Sequence, residues 1–294
     1  DKRDREFELL VVTHIDGDHI SGILELLKGN RIHFRAKDIW FNGYRHLPDE
    51  APETLGPIQG ETLTDFLVKP GVCWNAAFGK GAVVVPESGP LPRLELDGNL
   101  TLTLLSPTPG ALADLKPKWE AEIVKAGLNP DVPRPEEIES CEGIELLDGS
   151  LPDVEELCSL NFSEDASEAN ASSIGMLLEF ENHRVLLAGD AHPSMLASSL
   201  DRIRDGKKVS LAACKLPHHG SKASISRRLL ETLDCSTYLF STNGAYFKHP
   251  DREAVARVIQ WGGPNPDLVF NYRSRFNTVW ENRELIEEHK YTVS

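Results

Sequence analysis

Thr13-His14-Ile15-Asp16-Gly17-Asp18-His19 places two imidazoles and two carboxylates within six residues, near the start of a chain of 294. Imidazole and carboxylate together hold borderline and hard divalent cations, and the tight turn that Gly17 permits lets one loop aim several of them at one point. A plainer reading makes Asp18 the N-cap of a following helix and His14 and His19 ordinary surface residues. The density of ligand-type side chains favours the metal. Asp190, in Leu186-Leu187-Ala188-Gly189-Asp190, is a strand-end carboxylate with two oxygens to offer, and His218-His219-Gly220-Ser221 adds one or two imidazoles. Neither of these two stretches is decisive alone, since Gly-Asp often marks a turn and a His pair an ordinary loop. Together the three groups supply enough ligands for two ions.

Such residues need rigid elements to aim them. The apolar run 7–13 reads as a buried strand and 20–27 as a helix, so the first motif occupies a strand-to-helix loop. Strands are predicted at 37–42, 82–85, 93–96 and 100–105, and helices at 61–68, 119–126 and 153–160. Runs 173–180 and 183–188, separated by Glu181-Asn182, predict a hairpin that leads directly into Asp190. Helices at 193–200, 224–233 and 251–260 then alternate with strands at 209–216, 237–241 and 268–272. Polar residues follow strands three times, which is how α/β enzymes gather a site.

The order HxDxDH, then Gly-Asp after an apolar hairpin, then HHGS resembles the metallo-β-lactamase superfamily, and within it the hydrolase domain of competence-type DNA-uptake channel proteins. The phosphorylcholine esterases of that fold are more distantly similar. The resemblance runs from Phe7 to about Trp280 and includes weaker marks at Leu104-Leu105-Ser106-Pro107, Asn170, Ser173 and His249-Pro250. It implies an α/β fold, specifically an αββα four-layer sandwich, as a single domain over 1–294 with an acidic insertion at about 110–168. It also implies two divalent ions, zinc or manganese, with magnesium as an alternative. His14 and Asp16 would serve the first ion and Asp18 and His19 the second, with Asp190 bridging. One of His218 and His219 would complete the second site, and which one stays open. Asp18, His249 and Lys222 are the candidates for catalytic duty, His249 toward the leaving group and Lys222 toward a phosphate; Asn170 and Ser173 would orient the loop beside Asp190. The superfamily's HxHxDH is here HxDxDH, a harder and more acidic first site. No histidine between Ile20 and Asn170 takes the usual third position, His33 and His46 lying too near the first motif.

The activity implied is metal-assisted hydrolysis, foremost of nucleic-acid phosphodiesters. A small ester, lactone or phosphocholine-type substrate is the second reading, and an interaction module with a vestigial site the third. A net charge of −15 taken whole argues against a polyanionic partner, but the charge is unevenly spread. Residues 114–168 carry 16 acidic and 4 basic side chains, so −12 resides there and −3 in all the rest. That segment reads as a lid or protein-binding insertion, while Lys207, Lys208, Lys215, Lys222, Arg227 and Arg228 offer a groove for a phosphate backbone. Five cysteines without a CxxC predict reduced thiols, and the lack of an 18-residue apolar run or leader predicts a soluble, cytoplasmic protein without a membrane segment. The chain starts at Asp1 with a charged run that enters the first strand at once, from which we expect N-terminal residues, and strands, to precede it.

Overall fold

Every residue of Leu9-Leu10-Val11-Val12 is apolar, so a strand there must pack on both faces. The computed structural model, which describes residues 5–28, 34–48, 58–127 and 151–294, does this. Strand β1 (Arg5–Val11) pairs in parallel with β2 (Phe34–Trp40), and α1 (Gly17–Lys28) lies between them in the chain. Leu9 and Val11 pack with Trp40 into one apolar cluster. Leu10 and Val12 pack into another, with Ile20 and Leu24 of α1 and Leu63 and Leu67 of α2 (Ile58–Leu67).

Next along the chain are β3 (Arg93–Leu96), β4 (Leu100–Ser106), α3 (Pro109–Gly127), α4 (Val154–Ser159), α5 (Glu168–Ala171), the hairpin β5 (Gly175–Phe180) and β6 (His183–Leu187), and α6 (Pro193–Asp201). The C-terminal third holds β7 (Val209–Ser210), β8 (Ala213–Lys215), α7 (Arg227–Thr232), β9 (Leu233–Asp234), β10 (Thr237–Phe240), α8 (Arg252–Trp261), β11 (Asp267–Phe270), α9 (Arg283–His289) and β12 (Thr292–Val293). Eight strands form one sheet in the order β12-β11-β10-β8-β6-β5-β4-β3, and β7 pairs with β9 separately. Neighbours from β3 to β6 are antiparallel; from β6 through β8, β10, β11 to β12 they are parallel. The fold is therefore α/β with a large mixed sheet. Its pairing changes sense between β6 and β8, the two strands that lead to Asp190 and to His218-His219.

Alternation decides which side each residue serves. Leu102, Leu104 and Met176 share the cluster of Leu9, Val11 and Trp40. Leu177 and Leu186 face the other way, onto Leu196 and Leu200 of α6, Leu229 and Leu230 of α7 and Val255 and Val258 of α8. Trp40, Trp119 and Trp280 are the largest fully buried side chains, and each contributes a few kcal/mol of burial.

Several expectations are corrected. Residues 82–85 form no strand: Val83 exchanges its backbone bonds with the Asn42 side-chain amide, at 2.8 and 2.9 Å, so a side chain replaces a strand partner. The single strand expected at 209–216 is two, because the chain leaves β9 at Ser210 and joins β6 at Ala213. The helix expected at 119–126 begins ten residues earlier, at Pro109, and β9, β12, α5 and α9 are too short to show in a periodicity. The acidic stretch lies outside the described residues over 128–150, but its two ends belong to the core. Trp119 is fully buried in α3, and Val154 of α4 joins the cluster of α8. Cys73, Cys158, Cys214 and Cys235 are free thiols, as expected; Cys141 lies outside the described residues. No helix among the described residues is long and apolar enough to cross a membrane.

Candidate metal centre

Three post-strand loops converge. Thr13, after β1, accepts a bond from Ile174 N at 2.9 Å on its carbonyl, which fixes the first motif against the entry to β5. The Asp16 carbonyl accepts from His19 N and Ile20 N, both at 3.0 Å, and so starts α1 with Asp18 in its first turn, where a carboxylate complements the helix dipole. After β6, Gly189 turns with φ +56°; a Cβ there would meet Ser173 Oγ at 2.5 Å, so only glycine passes. Asp190 N then donates to Ser173 Oγ at 3.0 Å, the orienting duty expected of Ser173. After β8, His218 and His219 both adopt the left-handed region, with φ 44° and 55°. Two such residues in succession cost about 1 kcal/mol or more each, and the turn keeps them because His218 N is bonded to the Gly189 carbonyl at 3.2 Å.

The side chains meet in two overlapping groups. His14, His19 and Asp190 form one and Asp18, His19 and His219 the other, with the ligand-type atoms of each group within 4.8 Å of one another. Asp190 Oδ2 lies 3.2 Å from His19 Nε2 and 3.4 Å from His219 Nε2, and Asp18 Oδ2 lies 2.9 Å from His219 Nε2. Asp190 is 2% exposed and His14 likewise 2%, so this is an interior cluster with Asp18 at its solvent edge.

The donor set fits divalent cations on three counts. Buried polar atoms are normally paired, yet His14 Nε2 and Asp190 Oδ1 have no hydrogen-bond partner among the described residues; the nearest opposite groups are Asp16 Oδ2 at 3.4 Å and Lys215 Nζ at 3.8 Å. The imidazoles are turned with Nε2 inward by outer partners. His219 Nδ1 donates to the Ser241 carbonyl at 2.7 Å, and Thr13 Oγ1 lies 3.0 Å from the Nδ1 of both His14 and His19. Finally, His19 Nε2 and His219 Nε2 face each other at 3.2 Å, a meeting of two ring nitrogens that a shared cation or proton relieves.

A scan against known family models and a search of curated proteins find no match.

Without a cation, protons do the balancing. Burial opposes ionisation of Asp190, but hydrogen bonds from His19 and His219 and the charge of Lys215 hold its pKa well below the usual carboxylate range. Burial likewise opposes a charge on His219, yet its bonds to Asp18 and Asp190 raise its pKa to about 10. Burial also opposes a charge on His14, but the carboxylate of Asp16 beside it and the charges of Asp190 and Asp18 raise its pKa.

Other expected residues are placed differently. Asp16 lies beside His14 but enters neither group. Of the histidine pair, His219 joins the cluster. His218 Nδ1 instead faces Asp165 Oδ2 at 3.3 Å, and Asn170 holds that carboxylate at 2.6 Å rather than the Asp190 loop. His249 lines the cleft beside the cluster, its Nδ1 held 3.3 Å from Asp251 Oδ1. Lys222 Nζ lies 3.4 Å from Glu253 Oε1 and does not line that cleft. Of the residues expected to line a basic groove, Arg227 pairs with Glu231 and Arg228 with Asp201, while Lys215 Nζ bonds the Gly189 carbonyl at 3.1 Å inside the site. His46 packs on Trp74 and accepts from Gly43 N, remote from the cluster; His33 lies outside the described residues. Thr13, Ser241, Asp165 and Lys215 are the supporting residues that sequence reasoning gave no such role.

Proposed function

We propose that this chain is a metal-dependent hydrolase of phosphodiesters, a nuclease before all, that holds two divalent ions, zinc or manganese, in the cluster of His14, Asp18, His19, Asp190 and His219. The observation that carries the reading is the pair of overlapping His/Asp groups, in which buried His14 Nε2 and Asp190 Oδ1 lack hydrogen-bond partners among the described residues. The order of the ligand motifs, and three apolar clusters on the two faces of the β1-β2 sheet and of the eight-stranded sheet, support the metallo-β-lactamase-like αββα sandwich as its frame.

What a divalent cation supplies when held there is Lewis acidity and a water of lowered pKa. The rest falls to the chain's own side chains. Asp18, 40% exposed at the head of α1, would take a proton at the cleft edge. His249, braced by Asp251 and lining the same cleft, would give one to a leaving oxygen. A smaller phosphodiester or ester is the second reading, favoured by one observation: among the described residues no Lys or Arg lines the cleft, which has a volume of about 420 Å³.

The test is cleavage of single-stranded DNA, duplex DNA and RNA with manganese, magnesium or zinc, comparing the natural protein with Asp190→Ala. Cleavage that the variant lacks is expected. Absence of cleavage with every metal overturns the nuclease reading and moves the search to small phosphodiesters and esters.

A further inference from the structure

Tyr246, Phe247 and Tyr272 line the same cleft as Asp18, His219 and His249, and the Phe247 ring stacks 6.0 Å from that of His249. Tyr246 is 82% exposed and Tyr272 57%, two open rings on one cleft. Neither belongs to a loose tip. Thr242 N donates to Asn271 Oδ1 at 2.9 Å, which ties the two tyrosine-bearing loops together. Ala245 N donates to Asn243 Oδ1 at 2.8 Å and Gly244 N to Thr242 Oγ1 at 3.0 Å. Gly244 turns with φ +70° against the Phe276 ring, where a Cβ would come within 2.5 Å. The rings are thus exposed on a braced wall of the cleft that Asp18 and His219 also line.

The chemistry of this wall is specific. It offers aromatic faces and side-chain amides and, among the described residues, no Lys or Arg. Without a cationic side chain in its lining, such a surface offers a phosphate backbone little, whereas a planar base gains from stacking, which is tolerant of base identity. We infer that Tyr246 and Tyr272 form a stacking subsite for an unpaired nucleobase attached next to the phosphodiester that the cluster would receive. This rests on the proposed hydrolase reading and narrows it: the substrate is a single strand or a dinucleotide, since a paired base cannot present its face. Two sources share that chemistry, a polynucleotide end and a free dinucleotide.

The experiment compares a single-stranded oligothymidylate, its abasic counterpart of equal length and a dithymidine monophosphate, with manganese, on the natural protein, Tyr246→Ala, Tyr246→Phe and Tyr272→Ala. The base-bearing strand is expected to show a KM about tenfold below the abasic one. Tyr246→Ala and Tyr272→Ala erase most of that difference with kcat nearly unchanged, and Tyr246→Phe keeps it. Hydrolysis of the dinucleotide with the same tyrosine dependence assigns the smaller source; hydrolysis of the strand alone assigns the larger. Equal KM for base-bearing and abasic strands, or discrimination that survives Tyr246→Ala, overturns the subsite. If neither the strands nor the dinucleotide are cleaved, the nuclease reading fails by itself. The subsite is then judged by fluorescence of a 2-aminopurine trinucleotide: quenching lost in Tyr246→Ala upholds it, and absence of binding overturns it.

Discussion

Thr13 gives the sharpest test of how the centre is held. Its hydroxyl oxygen, 3.0 Å from the Nδ1 of both His14 and His19, has two lone pairs and can accept from both rings at once, which leaves both Nε2 atoms inward with lone pairs available. Thr13→Val keeps the shape and removes the acceptor. His14 is 2% exposed, so its Nδ1–H is stranded, at a cost of about 1–3 kcal/mol in the cation-free protein. His19 is more open, and water takes over its bond at smaller cost. Loss of a partner that orients a ligating imidazole weakens a metal site about 10- to 100-fold. We therefore expect manganese or zinc titrated calorimetrically into Thr13→Val to bind about 10- to 100-fold more weakly, with affinity restored by Thr13→Ser. Thr13→Val binding within twofold of the natural protein would refute the reasoning, since the rings would then be held by something other than the hydroxyl.

The remaining expectations concern the same centre. Asp190→Asn should lose more than about 100-fold in metal affinity, beyond the cost of an outer partner, whereas His218→Ala should stay within a few-fold; equal losses in titration would contradict the placement of His219 rather than His218 in the cluster. His219 has a folded pKa of about 10 against 6.5 for the free side chain, so its contribution to the cation-free protein is complete below pH 6.5 and lost as pH rises toward about 10. Melting in a chelator should show Tm falling over that window, and the fall should shrink in His219→Asn. Gly189→Ala should destabilise by about 2–4 kcal/mol in urea unfolding, from a left-handed residue and a Cβ forced onto Ser173 Oγ; a change under about 1 kcal/mol would mean that the turn adapts.

The crowding of ligand-type side chains in the first loop was legible, and of the four, His14, Asp18 and His19 meet in the cluster while Asp16 does not. The supports of that cluster were not legible, for reasons of physics. Ser241 acts through a backbone carbonyl, which carries no signature of residue type. Thr13 acts only because two rings happen to turn the same nitrogen toward it. Asp165 belongs to the most acidic stretch of the chain, where one functional carboxylate is indistinguishable among 16, and Lys215 looks like any cation of a basic run until its ammonium is found at the Gly189 carbonyl. The core strands were read from their apolar runs. Residues 82–85 have the same composition without strand pairing, because the Asn42 amide that satisfies them is remote in sequence. The join between β7 and β8 escaped because an apolar run records burial and not the identity of the partner strand.

His19 and His219 face each other across 200 residues of chain. At synthesis rates of roughly 5–20 residues per second, the first half of the centre leaves the ribosome about 10–40 s before the second. During that interval the loop after β1 presents His14, Asp16, Asp18 and His19 without their counterparts, as a weak chelator on a nascent chain. On the proposed reading, tight capture of a cation would mark completed synthesis, because the full donor set forms only once β6 and β8 have closed beside the first loop.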